Sequence, residues 1–134
     1  VAYDGTPLSE TALAHALDVY SDAAITVLHV IDYIEESYSA KALVGDETLQ
    51  KRAQERSADL LTEAEARADE HDRVLKTESE VGKAADEILE YADTHGIDVI
   101  VIGSHGRSGV ARMLMGSVAE TVMKRASVPV TVVR

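Results

Sequence analysis

The stretch Asp98-Val99-Ile100-Val101-Ile102-Gly103-Ser104-His105-Gly106 places four consecutive β-branched apolar residues before a glycine-rich segment. An apolar run without polar alternation is typical of a strand that is buried on both faces of a parallel sheet. The glycines predict a tight loop at the carboxyl end of that strand, where open parallel sheets bind their ligands. The stretch therefore predicts both a fold class and the position of a site.

The segments on either side alternate between strand and helix patterns. Some are nearly continuous apolar runs, whereas others repeat apolar residues at helical spacing. Strands are predicted at residues 1–4, 24–31, 73–81, 99–102 and 129–133, and helices at 8–20, 47–71, 83–95 and 117–126. This order predicts an α/β fold, in which one domain of residues 1–134 contains a five-stranded parallel sheet flanked by helices.

Composition excludes several classes of protein. The 134 residues, 46% of them hydrophobic, fit one globular domain, and no apolar run is long enough to span a bilayer. Cysteine is absent, which excludes disulfides and a catalytic thiol, and the five histidines are too dispersed to favour a structural zinc site. We expect a cytoplasmic protein without a signal peptide, and the missing initiator Met suggests a start slightly inside the natural sequence.

The net charge is −11, from 24 acidic and 13 basic residues. Such a surface repels nucleic-acid phosphates, so binding to DNA or RNA is disfavoured. The excess of Asp and Glu over Lys, together with the absence of Phe and Trp, suggests a halophilic organism with a salty cytoplasm. The alternative is an ordinary acidic, solvated surface, which also occurs in proteins from other habitats. In either case the charge indicates habitat and does not indicate activity.

The loop after the strand at 99–102 is predicted to extend from Gly103 to Gly116. Gly103, Gly106 and Gly109 are spaced by three, which allows positive φ angles, an anion-binding arrangement of amides and close approach of a ligand. The alternative is that these glycines only allow the loop to turn. The spacing fits neither the GxxxxGK[ST] loop nor the dinucleotide GxGxxG pattern.

The helix after this loop is predicted to begin at Ser117. Glu120 follows three residues later and would complete a Ser-x-x-Glu capping box. The positive end of the helix, its free N–H groups and the Ser117 hydroxyl would then face an anion. The physical argument predicts an anion site without identifying the anion.

The complete pattern, Gly-x2-Gly-x9-Gly-Ser, has Gly103, Gly106, Gly116 and Ser117 at its fixed positions. It resembles the ATP-binding signature of the universal stress protein family. The likeness extends over five segments in the family's order, namely residues 1–6, 28–31, 98–106, 116–120 and 129–133. This resemblance implies a Rossmann-like fold of the adenine nucleotide alpha hydrolase type.

The resemblance also implies roles for individual residues. Amides expected to surround the phosphates and ribose, together with the Ser117 hydroxyl, belong to Gly103, Gly106, Gly116, Ser117 and Val118. Residues expected to border the adenine are Ala2, Val30 and Ile102. Asp4 would lie near the ribose or a phosphate-bound Mg²⁺ or Mn²⁺, unless it simply caps the first turn. His105 and Arg107 would either touch the β- or γ-phosphate or face solvent.

Two other features have their own interpretations. His29 lies in a predicted buried strand, so a hydrogen-bonded core residue is a simpler interpretation than a ligand. The segment 35–46 lacks periodicity, and we hypothesise that it is a mobile flap over the nucleotide.

Three functions remain open from the sequence. The first is an ATP-binding regulator of the stress response, which the family resemblance implies is a homodimer paired through its last strand. The second is an ATPase or phosphotransferase, but Arg107 without a P-loop lysine forms an incomplete clamp on the γ-phosphate, so hydrolysis is expected to be slow at most. The third is a dimeric interaction module that does not bind nucleotide, which the intact glycine spacing argues against.

Overall fold

The computed structural model describes residues 1–34, 46–106 and 115–134, without the side chain of Asp46. The helices in these ranges are α1 (Pro7–Val19), α2 (Asp46–Asp69), α3 (Ala84–Thr94) and α4 (Ser117–Arg125). The strands are β1 (Thr26–Ile31), β2 (Lys76–Val81), β3 (Ile100–Gly103) and β4 (Val130–Val133). The predicted α/β alternation is confirmed. Arg107 and nearly all of the hypothesised flap lie outside the described residues.

The sheet consists of two parallel pairs, β1 with β2 and β3 with β4. Residues 1–3 lie between the pairs, because Tyr3 N–H donates to Leu28 O at 2.9 Å and Ala2 N–H donates to Val101 O at 3.0 Å. Along the sheet the order is therefore β2, β1, residues 1–3, β3 and β4. The predicted first strand is reduced to a single bridge between Ala2 and Leu28. The chain turns soon afterwards at Gly5, whose φ is +80°.

Each face of the sheet carries its own apolar core. Adjacent residues of β1 show the alternation, since Val27 packs toward Leu13 and Ala64 while Leu28 packs toward Ile88 and Val122. Helices α1 and α2 cover the first face, and α3 and α4 cover the second. The prediction of helices on both faces is confirmed.

The helix ends are fixed by local bonds. The Thr6 side chain accepts the Ser9 N–H at 3.3 Å and caps α1, and Pro7 occupies the first turn, where its missing N–H is not needed. Helix α3 ends before Gly96, whose φ of +62° confirms the expected C-terminal glycine. At the other end of α1, the Arg73 guanidinium donates to three backbone carbonyls, those of Leu17, Tyr20 and Ala23.

A row of hydrogen-bonded polar side chains links α2 to the first face of the sheet. His29 is only 5% exposed, and its Nδ1 lies 2.7 Å from Ser57 Oγ. Ser57 Oγ in turn lies 3.1 Å from Ser79 Oγ on β2. The prediction that His29 is a hydrogen-bonded core residue is confirmed.

The two edges of the sheet differ in chemistry. Strand β2 has the sequence Lys-Thr-Glu-Ser-Glu-Val, whereas β4 has the uncharged sequence Val-Thr-Val-Val with all four residues half-buried. Among the described residues, each of these strands pairs with one neighbour only. No helix within the described ranges combines the length and apolar character needed to cross a membrane.

Candidate functional site

Asp4 meets the glycine loop at the carboxyl end of the sheet. Its Oδ1 accepts the Thr6 N–H at 3.1 Å and also the Thr6 hydroxyl, so Asp4 stabilises the turn that leads into α1. Asp4 Oδ2 lies on the side of Gly106, 3.0 Å from where a β-carbon would stand. The turn-capping role is confirmed, and the carboxylate also borders the loop expected to hold a ligand.

Gly103 permits close packing between β3 and α1. A β-carbon at this position would lie 3.1 Å from Leu8 Cβ and 3.3 Å from the Leu8 carbonyl carbon. The described glycines with positive φ are Gly5, Gly82 and Gly96. The expectation of positive φ is therefore wrong for Gly103 and Gly106. Close neighbours favour a small residue at both positions, namely α1 at Gly103 and the Asp4 carboxylate at Gly106.

Ser104 closes the glycine loop. Its carbonyl accepts the Gly116 N–H at 2.5 Å, its own N–H donates to Val133 O at 2.7 Å, and the residue is 3% exposed. A β-carbon at Gly116 would lie 3.1 Å from Ser104 O and 3.3 Å from His105 Cα, so the two limbs of the loop touch. The Gly116 amide, expected to face a phosphate, is thus occupied inside the loop. Sequence reasoning missed Ser104, whose only signal is a polar residue at the end of an apolar run.

Helix α4 begins differently from the prediction. Gly116 is the N-cap, with φ −73° and ψ 161°, and no side chain caps the helix. Ser117 is the first helical residue and is exposed. The Glu120 carboxylate pairs with Lys124 at 2.7 Å, so the predicted capping box is wrong. Because no described side chain serves as a cap, the structure shows no described partner that would keep a ligand from the Ser117 hydroxyl and the first-turn amides.

The residues expected to border adenine lie together on the second face of the sheet. Ile102 is 5% exposed and belongs to the core cluster beneath α3 and α4. Ala2, Val30 and Val118 are partly buried and pack against the same cluster. The structure thus brings these four residues to one apolar region beside the start of α4.

His105 lies next to Ser104 in the first limb of the loop. Its Nδ1 lies 3.2 Å from Ser104 Oγ, whereas its Nε2 is buried and has no hydrogen-bond partner among the described residues. A buried polar atom without a partner is unusual in a native protein.

The described residues include no group of three His, Cys, Asp or Glu side chains that could hold a metal ion. Asp4 offers a single carboxylate at the loop. One carboxylate suits a divalent ion that is held mainly by phosphate oxygens and water. The donor set therefore fits a nucleotide-borne Mg²⁺ or Mn²⁺ and not an independent metal centre.

Residues 1–134 match the family described as the universal stress protein family. The chain belongs to this family. Its members are stress-response proteins, and the α/β fold described above is the fold of their solved structures.

Individual relatives resemble the chain over almost its whole length. Universal stress protein MJ0531 of Methanocaldococcus jannaschii is 33% identical over 133 residues, covering 98% of this chain and 78% of that protein. The solved structure of MJ0577 from the same organism superposes with a TM-score of 0.83 at 28% identity, covering 98% of this chain and 91% of that one. A universal stress protein solved in complex with cAMP shares the fold, with a TM-score of 0.72, 24% identity and coverage of 100% and 94%.

Proposed function

We propose that the chain binds ATP at the glycine loop and acts as a nucleotide-dependent regulatory protein in the stress response. The observation that supports this proposal is that three features meet at the carboxyl end of the sheet. They are the loop closed by the bond between Ser104 and Gly116, the start of α4, which no described side chain caps, and the Asp4 carboxylate. The remaining groups of the proposed site are Ala2, Val30, Ile102, Gly103, His105, Gly106, Arg107, Gly116, Ser117 and Val118.

The start of α4 supplies the anion-binding part of this site. The amides of the first helical turn have no partner within the helix, and with Gly116 bonded to Ser104 those of Ser117 and Val118 are left without a partner among the described residues. The helix dipole adds positive potential at the same place. These groups favour a phosphate in a protein whose net charge of −11 otherwise repels it.

A divalent cation would resolve the remaining charge conflict. The Asp4 carboxylate next to Gly106 repels a triphosphate. Mg²⁺ or Mn²⁺ carried by the phosphates would be held by Asp4 and would neutralise both partners. Affinity for ATP should therefore be higher with the ion than without it.

Slow hydrolysis is the second candidate activity. Efficient phosphoryl transfer needs a cationic clamp on the γ-phosphate and a positioned nucleophile. Apart from Arg107, the proposed site contains no Arg or Lys, so binding with at most slow turnover is the better proposal. Kinase-like turnover with Mg²⁺ or Mn²⁺ would overturn it.

Pairing of two copies through β4 is part of the proposal, as is a cytoplasmic location. The carbonyls of Pro129 and Val133 bond to β3, so the N–H groups of the alternate residues Val130 and Val132 point away from it. This uncharged edge, unpaired in the part of the chain that the structure describes, is suited to strand addition, whereas the charged β2 edge resists it. A Val132→Pro variant removes one outward N–H and keeps the pairing with β3, so sedimentation should show monomers where the unaltered chain forms dimers.

The deciding experiment is calorimetric titration with ATP at high salt, with and without Mg²⁺ or Mn²⁺. Saturation near one nucleotide per chain, tighter with the ion, is the expected result. AMP and cAMP serve as competitors that define the ligand class. A folded protein that binds none of the three would leave the dimeric, nucleotide-independent module as the function.

A further inference from the structure

Strand β2 forms an edge of the sheet and pairs with one neighbour, β1, among the described residues. The pairing is parallel, and Lys76 N–H donates to Ile25 O at 3.0 Å. At the other end of the strand, Gly82 N–H donates to Ile31 O at 2.9 Å. In a parallel ladder every second residue turns both its N–H and its C=O toward the same neighbour. The residues whose main-chain groups point away from β1 are therefore Thr77, Ser79 and Val81.

The side chains of β2 form one charged and one uncharged row. Successive side chains of a strand alternate between the two faces of the sheet. The register places Glu78 beside Leu28, whose side chain belongs to the core of the second face. The charged side chains of the strand therefore lie on the second face, and they are Lys76, Glu78 and Glu80. The uncharged ones lie on the first face, and they are Thr77, Ser79 and Val81.

Acidic side chains of α3 extend the charged row at the carboxyl end of β2. The Glu87 carboxylate lies on the side of Gly82, the residue after the strand, where a β-carbon would stand. Burial, followed by repulsion from the carboxylates of Glu90, Glu80 and Asp86, raises the pKa of Glu87. Carboxylates that repel one another in this way favour the arrival of a positive charge beside them.

We propose that the β2 edge binds an extended segment of another protein that carries Lys or Arg at every second position. Such a segment would add to the sheet as a further strand, through the outward main-chain groups of β2. Its basic side chains would face Glu78 and Glu80, and cross-strand pairs of opposite charge stabilise a sheet. Within the row, Lys76 Nζ lies 3.5 Å from Glu78 Oε1 and offsets only part of the negative charge. This inference is independent of nucleotide binding.

The uncharged row fits the same partner. Val81 is apolar but 47% exposed, so a strand added beside it would cover part of its surface. The residues of the partner that alternate with Lys or Arg would lie next to this row. Small or β-branched uncharged residues, such as Thr and Val, are suited to these positions.

Two labelled peptides of the same composition test the proposal. In the first, Lys alternates with Thr and Val, whereas in the second the lysines are grouped at one end. Fluorescence anisotropy, in the lowest salt in which the protein stays folded, should show about tenfold tighter binding of the alternating peptide, because only this peptide matches both rows. Equal binding of the two peptides would show general attraction to an acidic chain and would overturn the proposal. Binding of neither would mean that the charges only protect the edge, which also overturns it.

Charge variants test the part played by the acidic row. The double variant Glu78→Gln, Glu80→Gln should bind the alternating peptide about fivefold more weakly, because two cross-strand charge pairs are lost. The matched control is Asp18→Asn with Asp98→Asn, which removes the same charge from α1 and from the residues just before β3. Equal losses in the two double variants would contradict a local role of β2, and thermal melts would verify that both are folded.

Hydrogen exchange shows where the peptide binds. The amides of Thr77, Ser79 and Val81 should become protected when the alternating peptide is added, and those of Val130 and Val132 should not change. The variant Thr77→Pro removes one outward N–H, keeps the pairing with β1 and should also weaken binding. Protection at β4 in place of β2 would mean that the peptide adds to the other edge, and it would overturn the proposal.

Discussion

The Asp4 carboxylate occupies the space that a side chain at position 106 would need. A β-carbon on Gly106 would lie 3.0 Å from Asp4 Oδ2, which among the described residues not adjacent to Gly106 in the sequence is the one atom within 4 Å of it. A larger residue at position 106 would press on the end of a side chain that lies 102 positions away in the sequence. A side chain there would have to shift the carboxylate or the loop slightly to fit.

Replacement of Gly106 by Val should abolish ATP binding and leave the fold intact. The branched side chain presses on the Asp4 carboxylate and obstructs the loop, and no core atom of the described residues lies within 4 Å of its β-carbon. Calorimetry with ATP and a thermal melt measure the two effects. Gly96→Ala is the control, because it introduces strain at φ +62° far from the loop and should lower stability without changing ATP affinity. Retained affinity in Gly106→Val would mean that the phosphates lie elsewhere.

Ser57→Ala should destabilise the protein by about 1–3 kcal/mol, because it removes the Nδ1 partner of the buried His29. Denaturation in urea measures the free energy of unfolding. Ser79→Ala is the matched control. It removes the exposed hydroxyl at the other end of the hydrogen-bonded row of His29, Ser57 and Ser79, so it should have a much smaller effect. Similar losses in both variants would contradict the special role of the buried hydroxyl.

Alkaline pH should destabilise the protein through Tyr3. Burial, together with the neighbouring Glu63 carboxylate that accepts its hydroxyl proton at 3.2 Å, raises the pKa of Tyr3 from 10.0 to about 12. The folded state therefore keeps the proton that the unfolded chain loses above pH 10, so this contribution is complete below pH 10 and is lost as pH rises toward 12. In Tyr3→Phe the free energy of unfolding should fall less steeply over this window. Parallel slopes for the two proteins would refute the assignment.

Salt should stabilise the chain. Its net charge of −11 makes carboxylate repulsion the dominant long-range interaction, and salt screens it. Screening also weakens exposed pairs such as Arg125–Asp86, but such pairs contribute little. The thermal midpoint should rise between 0.1 and 2 M KCl, more than in sucrose of equal osmolality. A midpoint that falls or stays constant in KCl would contradict the halophilic interpretation.

The glycine spacing and the apolar runs were sufficient to predict the fold class and the place of the loop, because both depend on local periodicity. The capping box failed because its motif is compatible with two starts, and the extended backbone of Gly116 makes that residue, and not Ser117, the N-cap. The contact of Gly103 with Leu8 and the bond of His29 to Ser57 join residues that are far apart in the chain. Such contacts arise from tertiary packing, so no spacing of residues in the sequence predicts them.

The difference between the charged β2 edge and the uncharged β4 edge also bears on how many copies of the chain could join through the sheet. Two copies joined along Val130–Val133 would form one continuous sheet whose outer margins are both β2. Each margin presents Lys76, Glu78 and Glu80, and a third copy could add only by burying those charges. An assembly of this kind would therefore stop at a closed pair and would not grow into a filament.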